Sequence, residues 1–227
     1  MLLRPLRLLG LVAVLAGTIA AAQHVMHLFP HSTDIGSTRH GATLFDPASG
    51  AWTITGGGAD MWGRADAFRF AWQRIEGDAT LTATIQFPPG QHPPNEKAVL
   101  IFRQSLDPGA RYADVAIHAD GHITLQWRDV HGGQTEDTTA DQRATHGGPA
   151  TLRIRRVGDL FTASAAGPGG TLTQFGSAVI AMHPPVYVGL GVCAHDANGL
   201  ATVTFTHVTL KRDGWDVLPP RSATAQQ

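Results

Sequence analysis

Eight side chains carry most of the chemistry this sequence offers: Asp60, Trp62, Arg103, Asp114, His118, Gln126, Arg128 and His195. Asp, Gln and Arg present planar hydrogen-bonding groups, and an indole offers an apolar face on which a sugar ring can pack. Together they suit recognition of a carbohydrate or another small polar ligand. Trp62 sits in a Gly-rich stretch, where it serves either as a stacking platform or as a plug.

Catalysis is harder to assemble. Retaining glycoside hydrolysis needs two carboxylates about 5–5.5 Å apart. Glu76, Glu96 and Glu136 are the only glutamates, each beside turn-forming or polar sequence. Asp60 and Asp66 form the best aspartate pair, yet nothing in the sequence fixes their spacing, and carboxylates bracing their own loop is the plainer reading. No Gly-x-Ser-x-Gly elbow, His-Glu-x-x-His helix or phosphate loop occurs. Cys193, the single cysteine, lies in the apolar run 186–194 and reads as a small buried hydrophobe, although His195 is two residues away. His24, His27 and His31 lack a carboxylate or thiol partner at ligand spacing. Asp60, Asp107 and Asp196 could offer oxygens to calcium, but no loop has a dense acidic pattern, so no cofactor or metal is expected.

The elements that must position these residues are strands. Residues 79–87 alternate strictly, with Leu81, Ala83, Ile85 and Phe87 on one side and threonines on the other. Residues 66–75, 97–104, 152–156, 160–166, 186–194 and 201–210 also read as strands, punctuated by Gly and Pro. Trp52, Trp72 and Trp127 fall on expected core faces. Arg153, Arg155 and Arg156 suggest a solvated edge strand. Residues 112–118 and 122–129 form a hairpin. A three-residue loop with Gly121 left-handed pairs Ile117 with Ile123, Val115 with Leu125 and Ala113 with Trp127. The other face then carries Tyr112, Asp114, His118, His122, Thr124, Gln126 and Arg128. Many short strands and no convincing amphipathic helix predict an all-β sandwich over residues 42–210.

The 227 residues have a net charge of −1, with 15% charged and 43% hydrophobic. That is globular, with no basic field to attract nucleic acid. Arg4 and Arg7 precede an apolar run over 8–19 and then Ala20-Ala21-Ala22. This is the pattern of a signal peptide over 1–22, cleaved before Gln23, and the run is too short to span a bilayer comfortably. A secreted or periplasmic protein is expected, with no integral membrane segment after cleavage. Residues 23–41 read as an irregular leader and 211–227 as a frayed tail.

Three stretches carry a resemblance: Ile54-Thr55-Gly56-Gly57-Gly58-Ala59-Asp60-Met61-Trp62-Gly63, Phe102-Arg103-Gln104-Ser105-Leu106-Asp107-Pro108-Gly109-Ala110 and Val188-Gly189-Leu190-Gly191-Val192-Cys193-Ala194-His195-Asp196. In this order they resemble the regulation-of-enolase-type family, a domain of unknown function in the concanavalin-A-like lectin and glucanase superfamily. The similarity runs from about Ala42 to Leu210. It implies a two-sheet antiparallel jelly roll with one concave face, and it supplies no catalytic mechanism. The Glu-x-Asp-x-x-Glu strand of the superfamily's retaining glucanases is absent here. A non-catalytic binding domain is therefore the leading expectation. The alternatives are a glycoside hydrolase or lyase using Asp or His, and an envelope structural domain that binds a protein partner.

Overall fold

The computed structural model describes residues 28–141, 143–144 and 147–212. The expected signal segment, His24, His27 and the tail beyond Arg212 lie outside them. Alternation builds the strands: in β7 (Ala79–Gln86), Leu81, Ala83 and Ile85 are fully buried while Thr80, Thr82 and Thr84 face the other way.

Two seven-stranded antiparallel sheets result. The first runs β1 (His31–Ile35), β6 (Phe68–Ile75), β15 (Val186–Cys193), β8 (Lys97–Arg103), β9 (Tyr112–His118), β10 (Ile123–Arg128) and β11 (Glu136–Thr139). The second runs β14 (Thr173–Val179), β13 (Leu160–Ala166), β12 (Ala150–Val157), β7, β16 (Asp196–Arg212), β3 (Ala51–Gly58) and β2 (Ala42–Asp46). A short ribbon of β4 (Met61–Trp62) and β5 (Ala65–Asp66) stands apart. Leu100, Phe102, Val115 and Leu125 of the first sheet share one core with Leu81, Ile85, Ile154 and Phe205 of the second. This is the all-β two-sheet antiparallel jelly-roll sandwich the sequence predicts.

The hairpin register is also as predicted. Ile117 pairs with Ile123, Val115 with Leu125 and Ala113 with Trp127. Gly121 closes the loop at φ 86°, a conformation that costs glycine nothing.

Three expectations change. Within the leader, His31–Ile35 forms a strand that pairs with β6. Lys211 and Arg212 complete β16 rather than fraying. The strand carrying Arg153, Arg155 and Arg156 is no edge, because β12 lies between β7 and β13. Arg153 and Arg155 are exposed on it, whereas Arg156 turns inward and donates to the Gly77 and Met182 carbonyls.

The first sheet has a second apolar cluster on its outer face. Met61 from the ribbon packs there with Phe68, Phe70, Val99, Ile101, Tyr112, Ala116 and Cys193. Trp72 joins this cluster and not the inter-sheet core, while Trp52 is buried in the main core. All seven residues of β8 are consequently buried. Gly191 of β15 permits the close packing: a Cβ there would lie 2.8 Å from Val99 and 2.9 Å from the Phe68 ring. Gly191→Ala is expected to cost about 1–3 kcal/mol through overpacking, read as a lower urea midpoint at unchanged slope.

Candidate functional site

On the outer face of the first sheet, alternate residues align across strands. Lys97 stands beside His118; Val99 beside Ala116 and then Thr124; Ile101 beside Asp114 and then Gln126; Arg103 beside Tyr112 and then Arg128. Asp137 extends the row of Gln126. The rows therefore pass from polar through small and apolar to cationic, and the ribbon divides them into a sealed half and an open half.

The sealed half is an ion cluster. Asp66 accepts from Arg103 Nη1, and from Arg128 Nη1 at 2.9 Å and Nη2 at 2.8 Å. All three side chains have 0% exposure. The two arginines exceed the one carboxylate, and backbone oxygens receive the surplus N–H groups. Arg103 donates to the Ser105 and Asp107 carbonyls. Arg128 donates to those of Gly63, Pro108, Ala110 and Gly133. The Tyr112 ring lies 5.0 Å from the Arg128 guanidinium and 5.8 Å from that of Arg103. Such geometry satisfies charges that would otherwise be costly to bury. Arg103 and Arg128 are thus not on an open binding face, as their alternation with apolar residues suggests; the ribbon and the neighbouring loops cover them.

The open half is a pocket of about 300 Å³ lined by Asp60, Trp62, Lys97, His118, His122, Thr124, Gln126, Asp137 and His195. Five of the eight expected site residues meet here: Asp60, Trp62, His118, Gln126 and His195. Trp62 is 41% exposed at the rim, while its neighbour Met61 acts as the plug. Asp60 accepts from the Met61 N–H at 2.7 Å and lies 3.3 Å from Lys97 Nζ and 3.5 Å from His195 Nε2. His195 sits in the left-handed region at φ 54°, uncommon for a residue other than glycine. The buried thiol of Cys193 accepts from the His195 N–H, and burial pushes its pKa up to about 11. It remains a protonated, inert thiol, consistent with the structural role read from its surroundings.

Asp114, the eighth expected residue, has 0% exposure. Among the described residues neither of its oxygens has a hydrogen-bond partner. Burial drives its pKa well above the usual carboxylate range, against the pull of Lys97. Burial likewise lowers the His118 pKa to about 4, with Lys97 and His122 acting in the same direction. His118 is therefore a neutral imidazole near pH 7.

Two lining residues were not singled out from sequence. Lys97 is legible in retrospect, because period two along 97–103 puts it on the side of Arg103. Asp137 gives no such signal, since Glu136–Thr139 is short, polar and recognisable as a strand only through its pairing with β10. Among the described residues no group of three or more His, Cys, Asp or Glu is placed to hold a metal.

No family model and no curated protein matches this chain. Solved structures match it in fold. A functionally unknown protein from Saccharomyces cerevisiae superposes with a TM-score of 0.59 at 19% identity, over 80% of this chain and 96% of its own. The carbohydrate-binding module CBM66 from Bacillus subtilis gives 0.53 at 14% identity, over 79% and 94%. The alginate lyase from Klebsiella pneumoniae gives 0.50 at 10% identity, over 79% and 87%. These likenesses show a shared fold, the antiparallel two-sheet β-sandwich described above.

Two measurements follow from the division of the face. Asp66→Asn leaves two guanidiniums buried without their carboxylate and is expected to cost about 3–5 kcal/mol. Asp60→Asn removes the counter-charge of the buried Lys97 but keeps an oxygen that can accept from it and from the Met61 N–H, and is expected to cost less than Asp66→Asn, about 1–2 kcal/mol; denaturant titration of both variants checks the contrast. His118 has a folded pKa below its unfolded one, so its contribution is complete above pH 6.5 and is lost as pH falls toward 4. Asp114, with a raised folded pKa, gains stability over falling pH and opposes it. The His118 share is isolated by comparison with His118→Gln, which should lose about 2 kcal/mol less than the parent between pH 6.5 and 4.5.

Proposed function

We propose that this chain is an exported, non-catalytic binding domain that takes a carbohydrate or another small polar ligand in the pocket on the outer face of its first sheet. The observation that carries the reading is the pocket itself, which sets a half-exposed indole, Trp62, beside the polar groups of Asp60, His118, Gln126 and His195. Aromatic stacking beside fixed hydrogen-bonding groups is the combination a sugar ring requires. The carbohydrate-binding module that shares this fold lends support at the level of fold only.

Export rests on the signal pattern of residues 1–22, and kinship with the regulation-of-enolase-type family rests on the three quoted stretches. A non-catalytic role is favoured because Asp66, half of the best aspartate pair, is enclosed by Arg103 and Arg128. It has no open approach for a glycosidic bond. The net charge of −1 argues against nucleic acid. No helix among the described residues is long and apolar enough to cross a membrane.

The test is a glycan-array and polysaccharide-pulldown screen of the chain from Gln23, with and without calcium. A specific hit is expected. Trp62→Ala should then weaken it by about tenfold or more while leaving the melting temperature nearly unchanged, whereas Gln126→Ala should weaken it and also lower the melting temperature, because it takes an acceptor from the buried Lys97 ammonium. Turnover of the hit would favour the hydrolase or lyase alternative. A blank from folded protein would favour a protein partner of the envelope.

A further inference from the structure

We infer that the pocket selects neutral sugars over acidic ones, with Thr124 and His118 reading ligand hydroxyls and Lys97 withheld from binding an anion. The inference rests on the carbohydrate reading above and narrows it.

Lys97 is the pocket's strongest cation, and its placement is the first observation. Lys97 stands in the row next to that of Val99 and Ala116. The ammonium ends 3.3 Å from Asp60 Oδ1, 3.3 Å from the Met61 carbonyl and 3.4 Å from Gln126 Oε1. An ammonium has three N–H donors, and three acceptors surround this one. The side chain is only 2% exposed. A ligand carboxylate could recruit it only by displacing an existing acceptor. It would do so in a pocket also lined by Asp60 and Asp137, whose charges repel it.

The second observation concerns the groups that remain unengaged. Thr124 lines the pocket and is 2% exposed. Among the described residues its Oγ1 has no hydrogen-bond partner, and neither does Nδ1 of pocket-lining His118. Asp114, next to Gln126 in register, leaves both oxygens unpartnered as well. Unpaired buried polar atoms are unfavourable and rare, and their concentration around one pocket points to a ligand that pairs them. A sugar hydroxyl both donates and accepts, so neighbouring hydroxyls can serve Thr124 and His118 together. Replacing one hydroxyl by a carboxylate or sulfate removes a group that can both donate and accept and brings a negative charge toward Asp60 and Asp137. A neutral ring can also stack on Trp62 without bringing a charge toward Asp60.

The experiment is calorimetric titration of the purified protein with three matched pairs of tetrasaccharides: glucose and glucuronic acid, galactose and galacturonic acid, mannose and mannuronic acid. At least one neutral member is expected to bind, with its acidic counterpart weaker by about tenfold or more. Thr124→Val should weaken the neutral member by about tenfold, and Thr124→Ser should hold it within about threefold of the parent. An acidic member that binds as tightly as its neutral counterpart overturns the inference and leaves the carbohydrate reading standing. So does a Thr124→Val variant of unchanged affinity. Binding of none of the six by folded protein overturns both.

Discussion

A single carboxylate, Asp66, lies between two buried guanidiniums, and the outer face of the first sheet is arranged around that contact. Arg103 comes from β8 and Arg128 from β10, with Tyr112 of β9 between them in register. Asp66 comes from the ribbon. The contact therefore ties two strands, β8 and β10 on either side of β9, to a segment that would otherwise stand off the sheet. The surplus arginine protons extend the tie to the carbonyls of the 105–110 and 130–133 loops and of Gly63. Burying this much charge earns little net stability by itself. Its effect is specificity of arrangement, since the donors of each guanidinium fix where several backbone segments lie.

That arrangement divides one sheet face into two environments. Under the ribbon, Met61 closes an apolar cluster over Val99, Ile101 and Ala116. Beyond the ribbon, Thr124 lines the pocket between His118 and Gln126. The floor of the pocket thus comes from the sheet rows, while its aromatic rim, Trp62, comes from the ribbon and Asp60 and His195 from the connections beside it. The inter-sheet core on the opposite face supplies the rigidity that holds the rows in register.

Much of this was legible in the sequence. Period-two alternation located β7, and the burial requirement of the hairpin fixed the register of β9 and β10 residue by residue. That register placed Asp114, His118, Gln126 and Arg128 on one face correctly. It could not show that half of that face is covered, because the covering residue Asp66 is 37 positions from Arg103 and 62 from Arg128. A polar residue alternating with apolar ones looks the same whether water or a distant carboxylate meets it. For that reason Arg103 and Arg128, on the expected face, are covered rather than open; Asp114, also on that face, is buried without a hydrogen-bond partner among the described residues. β1 and β11 escaped notice for a related one: both are short and polar, and edge pairing rather than pattern makes them strands.

The ribbon places anchor and rim within a few residues of each other. Met61 and Asp66 hold it down, and Gly63 is fixed through its carbonyl to Arg128. Between these anchors, Trp62 and the side chain of Arg64 face outward. The backbone at the tip is thus held largely from the inward side, with one further tie from Arg64 to the Gly132 carbonyl. Substitutions at Trp62 or Ala65 would therefore reshape the ribbon's outer surface while Met61 and Asp66 keep it in place.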